Sequence, residues 1–240
     1  MNKIKAFSLI ELIVVLGIIA VLAALAIPAL QVVQDSFNSF GTEGMISSAL
    51  ATARTLALSH QKYVGIRFQK TWKTGDDANT APQYMFFIIF EESANMINNI
   101  TDGFRAMKGY KPIKLPKNMG VIDMTEIVPY APISGASQIL DATRFSIVFS
   151  PAGKLVIHNV QTAFLEKNKE DEIINEQNVV DAGDAIFVKD DTSENEKSRR
   201  CLTIYDAEKL GKLNANERYS NYLKNLKSTH INYYTGEFIK

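Results

Sequence analysis

The hydrophobic positions of the chain fall into two parts with different patterns. From Leu12 to Leu30 no residue carries a charge or a strong hydrogen-bonding side chain. As an α-helix this run would span about 28 Å, which is close to the hydrocarbon thickness of a bilayer. The next strongest apolar run, Met85 to Phe90, is short enough to be a buried strand. The pattern therefore predicts that the chain enters a membrane once, near its start.

Beyond Pro28 the pattern becomes amphipathic. Apolar residues recur at steps of three and four between Met45 and Ala57, with serine, threonine and arginine between them. This spacing predicts a helix with one apolar stripe, rich in alanine so that a sheet can approach it closely. If the helix is continuous from Phe7 to Lys62, it would form a rod of about 84 Å.

From Tyr63 onward the pattern changes to alternating positions and short β-rich runs. Strands are predicted near residues 63–69, 83–92, 145–150, 154–160, 184–189, 200–205 and 230–239. Ser150–Gly153 and Tyr234–Glu237 predict tight turns, because glycine permits a positive φ and Pro151 fixes its own. Helices are predicted at 206–213 and 215–226. The expected fold class is α+β, with a long N-terminal helix packed on an antiparallel sheet.

The start of the apolar segment leaves three interpretations open. Lys3 and Lys5 precede it and favour a cytoplasmic N-terminus with the remainder exported. A cleaved signal peptide would use Ala24-Leu25-Ala26 as its cleavage site, and a signal anchor would keep the segment. Both leave Glu11 unexplained, since a carboxylate inside such a block costs about 2–3 kcal/mol. The third interpretation is a segment that uses Glu11.

The residues Lys5-Ala6-Phe7-Ser8-Leu9-Ile10-Glu11-Leu12 resemble the processing motif of type IV pilins and type II secretion pseudopilins. The resemblance implies that a prepilin peptidase cuts between Ala6 and Phe7, that Phe7 becomes the N-methylated terminus, and that Glu11 is the fifth mature residue. Pro28 falls where this family commonly kinks or melts its helix. The family usually carries glycine before the cut, where this chain has Ala6.

The resemblance also implies a domain organisation and a set of partners. It gives a leader at 1–6, a transmembrane and assembly helix at 7–30, its amphipathic half at 31–62 and a β-rich globular domain at 63–240. In this family the Glu, here Glu11, neutralises the terminal amine of a neighbouring subunit during assembly. The expected partners are other pilin or pseudopilin subunits, the prepilin peptidase and an inner-membrane assembly platform. The expected location is the bacterial inner membrane, crossed once, with the globular domain in the periplasm before assembly.

Further segments are similar to the minor pseudopilins of the GspH/FimT kind. They are Leu50–Phe68, Leu115-Pro116, Phe149–Gly153 and Tyr233–Glu237. This similarity implies a structural subunit, either a minor pseudopilin or a minor pilin, and no enzymatic activity.

The charge balance bears on nucleic acid as a partner. The chain carries 26 Lys+Arg against 26 Asp+Glu, which excludes a global basic field. Some FimT-like minor pilins bind DNA, so the alternative function is a DNA-binding minor pilin of a competence or DNA-uptake pilus. The candidate basic residues are Lys209, Lys212, Arg218, Lys224, Lys227 and Lys240, interleaved with tyrosines. Neighbouring glutamates dilute them, and no arginine-rich cluster exists to neutralise several phosphates together. DNA is therefore the less favoured partner.

Catalytic and metal chemistry finds little support. The three histidines, His60, His158 and His230, have no paired ligand spacing, so no zinc site is expected. The acidic pairs Asp76/Asp77 and Asp181/Asp184 lack the alternation of a calcium loop. The single Cys201 follows Arg199 and Arg200, which would lower its pKa, although a packed strand residue is the simpler interpretation. We expect no metal, no cofactor and no catalytic residue.

Overall fold

The computed structural model describes residues 9–71, 77–92, 102–160 and 196–239, with the side chains of Glu11, Asp102 and residues 23–39 outside that description. Its contacts divide the chain into two units, Met1–Gly41 and Thr42–Lys240. The predicted strand near 184–189 lies outside the described residues.

The long N-terminal helix predicted from the apolar pattern is present as α1, Leu9–His60. Within the second unit its predicted stripe is buried, with Ile46, Leu50 and Ala53 fully enclosed in the main core. The helix ends where Gln61 adopts a positive φ of 53°, and the Gln61 side chain donates a hydrogen bond of 2.7 Å to the carbonyl of Leu58. A residue in the left-handed conformation is a common way for a helix to stop.

The remaining elements are short. The strands are β1 Val64–Lys70, β2 Gln83–Glu92, β3 Asp102–Ala106, β4 Ile113–Lys114, β5 Met119–Ile122, β6 Phe145–Phe149, β7 Leu155–Val156, β8 Asn159–Val160, β9 Glu196–Lys197, β10 Cys201–Asp206, β11 Thr229–Ile231 and β12 Phe238–Ile239. Two further α-helices are α2 Ala136–Ala142 and α3 Ala207–Lys212, followed by a π-helix at Arg218–Tyr222 and a 3-10 turn at Leu223–Asn225.

The main sheet has the order β3-β2-β1-β6-β7, with β4 also paired to β2, and every pairing is antiparallel. Its central strand β1 is buried along its whole length. Alternate side chains of β1, among them Ile66 and Phe68, pack with the stripe of α1. The other face carries a second cluster that includes Phe86, Ile88 and Phe104. The main sheet is therefore covered on both faces.

A second sheet has the order β12-β11-β10-β5. The buried Gln83 joins it to the main sheet. The Gln83 amide nitrogen donates to the carbonyls of Val121 (2.9 Å) and Thr143 (2.8 Å), and its oxygen accepts from the Val121 amide at 2.7 Å. A third cluster, with Tyr205 and Leu223 among its members, fills the space beside α2 and α3. The observed fold class is α+β with antiparallel sheets, as the sequence predicted.

Most predicted strands are confirmed, and one predicted helix is wrong. The turns at Ser150–Gly153 and Tyr234–Glu237 join antiparallel pairs, with Gly153 and Gly236 at positive φ. The continuous helix expected at 215–226 is instead a π-helix followed by a 3-10 turn. The side chain of Arg218 donates a hydrogen bond of 2.6 Å to the main-chain carbonyl of Ile133. This contact ties the segment to a loop 85 residues earlier in the chain.

Two glycines give a matched test of the core. A Cβ added at Gly65 would lie 2.3 Å from the carbonyl oxygen of Ile147, whereas one added at Gly44 on α1 meets nothing within 4 Å. We expect Gly65→Ala to lower the free energy of unfolding by about 1–3 kcal/mol through overpacking. Gly44→Ala should raise it by about 0.5–1 kcal/mol, because alanine is the better helix former. Thermal unfolding followed by circular dichroism measures both, and equal effects would contradict the placement of Gly65.

Candidate functional site

The residues predicted to carry processing and assembly lie in the first thirty residues of the chain. Ala6 and Phe7 lie outside the described residues. Glu11 and Pro28 lie within α1, with their side chains outside the described part. The cleavage position and the role of Glu11 therefore stay predictions.

The described start of α1 exposes a run of large apolar side chains. Leu9 is 77% exposed and Val15 49%, and the large apolar side chains as far as Leu22 stay within that range. Exposed apolar surface on this scale marks a site that contacts a membrane or another protein. In the part of the chain that the structure describes, no helix has both the length and the apolar character that crossing a bilayer requires.

Comparison with known protein families finds a match at the N-terminus of the chain. Residues 1–27 match the family model described as the prokaryotic N-terminal methylation motif. The match supports a type IV pilin-like family. It indicates a structural subunit that a prepilin peptidase processes and that assembles with other pilin subunits. No curated protein and no solved structure matches the chain.

The central strand β1 holds two buried cations that the sequence analysis missed. The first is Arg67, whose side chain is 1% exposed. Its Nη1 lies 2.8 Å from Oε2 of Glu196, which is 9% exposed, and 3.3 Å from the hydroxyl of Ser146. The pair joins the centre of the main sheet to β9, more than a hundred residues along the chain. The available signal was a charged residue between two apolar residues, Ile66 and Phe68, of a predicted strand.

The second buried cation is Lys70, at the end of β1. Its Nζ donates to the main-chain carbonyls of Ala78 (2.8 Å) and Asn79 (2.7 Å) and lies 5.7 Å from the ring centre of Tyr205. Burial lowers the pKa of Lys70 from 10.5 to about 7, an effect that the nearby negative charge of Asp77 partly opposes. A substantial fraction of the amine is therefore neutral near physiological pH.

The turn that meets Lys70 is organised by Asp77. Oδ1 of Asp77 accepts from the backbone nitrogen of Asn79 at 3.0 Å and from its carboxamide nitrogen at 2.6 Å. Partial burial works against ionisation of Asp77, but these bonds, together with Thr80 and the charge of Arg218, bring its pKa below the usual value. Asp77 is thus a carboxylate held directly on the carboxamide nitrogen of Asn79.

Cys201 does not have the electrostatics of a reactive thiol. It lies half-buried in β10. Burial raises its pKa, the charge of Asp123 raises it further, and Arg199 and Arg200 only partly offset them. Arg199 itself is ion-paired with Asp123 and Glu126. The arginines do act to lower the pKa of the thiol, but burial and Asp123 outweigh them, so the net shift is upward.

The candidate cations for DNA binding are largely engaged within the protein. Lys212 pairs with Glu208 at 2.5 Å, and Lys209 lies 3.6 Å from Asp206. Arg218 donates to two main-chain carbonyls and is part-buried. The remaining candidates, Lys224 and Lys227, are exposed, and Lys240 lies outside the described residues. These contacts do not favour a phosphate-binding surface among the described residues.

The candidate metal ligands do not come together in the described residues. Within these ranges no group of three or more histidine, cysteine, aspartate or glutamate side chains is placed to hold a metal ion. The ring of His158 packs against three aromatic rings, with its centroid 4.5 Å from that of Tyr63 and slightly farther from Phe90 and Phe104. His60 and His230 are exposed, and Asp76, Asp181 and Asp184 lie outside the description.

Proposed function

We propose that the chain is a minor pseudopilin or minor pilin of the GspH/FimT kind, a structural subunit of a type II secretion or type IV pilus-like filament. The observation that carries this proposal is the methylation motif at residues 1–27, which includes Phe7 and Glu11 at the spacing of the family. Processing would leave Phe7 with a charged α-amine at the membrane edge. Glu11 of one subunit would then neutralise the amine of the next, and the pair would set the register of assembly.

Two features of the molecule support the same proposal. The second half of α1 is packed against an antiparallel sheet, which is the arrangement expected of a pilin fold. The exposed apolar residues between Leu9 and Leu22 belong to a segment that would lie first in the inner membrane and later in the filament core. The proposed topology is a single pass with the globular domain in the periplasm.

The mature N-terminus tests the proposal. Protein purified from a host that supplies a prepilin peptidase is expected to begin at Phe7 with one added methyl group, about 14 Da, on its α-amine. Peptide mass spectrometry of the N-terminal fragment measures both. A mature chain that begins at Ile27 would mean that a signal peptidase has removed the segment, and the filament proposal would fail.

A matched pair of variants separates the two processing routes. Ala6→Val places a β-branched residue before the proposed cut and should leave the leader attached. Ala26→Val changes the alternative cleavage site and should leave the N-terminus at Phe7. The reverse outcome, with Ala6→Val processed normally and Ala26→Val unprocessed, would contradict prepilin-type maturation.

A further inference from the structure

Three chemically complementary groups meet at the end of β1. They are the buried amine of Lys70, the carboxamide of Asn79 and the carboxylate of Asp77. The Lys70 amine already touches Asn79, through the 2.7 Å hydrogen bond to its main-chain oxygen. The carboxamide nitrogen of Asn79 lies 2.6 Å from Asp77. Its carboxamide oxygen is buried and has no hydrogen-bond partner in the described structure.

The buried carboxamide oxygen of Asn79, which has no hydrogen-bond partner among the described residues, is unusual for a folded protein. A buried polar atom without a partner costs about 1–3 kcal/mol, so most such atoms in folded proteins are satisfied. The hydroxyl of Tyr205 is also buried and has no partner among the described residues, and Nζ of Lys70 lies over the ring of Tyr205. Two unsatisfied polar groups beside a buried amine mark a place where the arrangement of polar atoms is incomplete.

We propose that Lys70 and Asn79 become joined by an intramolecular isopeptide bond, with Asp77 carrying the proton that the reaction transfers. Nζ of Lys70, in its neutral form, attacks Cγ of Asn79, and a new C–N bond forms. The bond between Cγ and Nδ2 breaks. One proton passes from Nζ through the Asp77 carboxylate to Nδ2, which leaves as ammonia. The reaction needs no oxidant, reductant or cofactor.

Two features of the site fit this reaction. Burial disfavours the charged ammonium, so a nucleophilic amine is available at neutral pH. The Asp77 carboxylate already touches the nitrogen that must be protonated in order to leave. Cγ of a residue lies on the order of 3–4 Å from its own main-chain oxygen. Nζ of Lys70 lies 2.7 Å from the main-chain oxygen of the residue that it would attack. Bond formation requires a rotation of the Asn79 side chain that brings Cγ to the contact distance of about 3–3.5 Å from Nζ.

The bond would tie the end of β1 covalently to the turn that precedes β2. The proposal is separate from the filament function, and neither depends on the other. Lys70 also touches the ring of Tyr205 in the third cluster, so the cross-link would stand where the main sheet meets that cluster.

The intact mass of the purified full chain tests the proposal. The expected result is a deficit of one ammonia, about 17 Da, relative to the mass of the mature sequence. Trypsin should then fail to cut after Lys70. It should release a branched peptide in which residues 68–73 are joined to residues 74–105 through the two side chains. An undiminished mass with normal cleavage after Lys70 would overturn the proposal.

Variants distinguish this bond from other losses of ammonia. Asn79→Asp should change the deficit from ammonia to water, about 18 Da, because the same attack would then expel hydroxide and a proton. Lys70→Arg and Asn79→Ala should each restore the full mass. A cyclic imide at Asn79 would give the same deficit in the wild type but would leave Lys70 free and would survive Lys70→Arg, and that outcome refutes the cross-link. Asp77→Asn should slow bond formation after refolding, and an unchanged rate would remove the role of Asp77.

Discussion

Replacing Glu11 with valine is expected to leave membrane insertion intact and to prevent incorporation into a filament. A carboxylate in an apolar segment costs about 2–3 kcal/mol, so its removal favours insertion. In the proposed filament the terminal amine on Phe7 would lose its partner and would be buried without an opposite charge, which costs several kcal/mol. Fractionation of membranes and sheared filaments from the native host measures the two steps separately.

The control for this variant is Glu11→Asp, which keeps the charge and shortens the side chain by one carbon. It should restore part of the incorporation, whereas Glu11→Gln, which keeps the length and removes the charge, should not. Normal incorporation of Glu11→Val would remove the charge-pairing role assigned to Glu11. Loss of Glu11→Val and Glu11→Gln from the membrane fraction would instead mean that Glu11 is needed for insertion.

The N-terminal motif could be predicted from the sequence because it is a contiguous stretch of residues and depends on no distant contact. The order of the residues around Ala6 and Phe7 is enough to predict a processing site, and residues 1–27 match the model of the N-terminal methylation motif. The buried stripe of α1 was also predictable, since the spacing of Ile46, Leu50 and Ala53 follows the helical period.

The buried charges were not predictable in the same way. Alternation along β1 predicts a strand with one exposed face, on which Arg67 would be solvated. The structure covers that face with the cluster of Phe86 and Phe104 and with the carboxylate of Glu196. Glu196 comes 129 residues later in the chain, and no local pattern indicates which distant segment covers a sheet.

Four strands of the described residues were not predicted, namely β3, β4, β5 and β9, and the two shortest of them were missed for a related reason. β4 and β9 contain two residues each, and two residues have no measurable period. Their partners define them. β4 pairs with Tyr84 and Met85 of β2, so it exists as a strand only where the register of β2 places it.

Replacing Arg67 with methionine is expected to lower the free energy of unfolding by about 3–5 kcal/mol, because it leaves the buried carboxylate of Glu196 without the guanidinium. Arg105→Met is the matched control. Arg105 also pairs with a glutamate, Glu91, but its side chain is 38% exposed, so its loss should cost about 0–1 kcal/mol. Urea unfolding followed by circular dichroism measures both variants.

A second substitution separates the lost pair from lost packing. In Arg67→Met/Glu196→Met both charges are replaced by apolar side chains that suit a buried site, and most of the stability should return. If the double variant stays as unstable as Arg67→Met, the cost lies in the packing around β1 and not in an uncompensated charge. If Arg67→Met costs no more than Arg105→Met, the Glu196 carboxylate is not buried beside β1, and the link between the main sheet and β9 does not form.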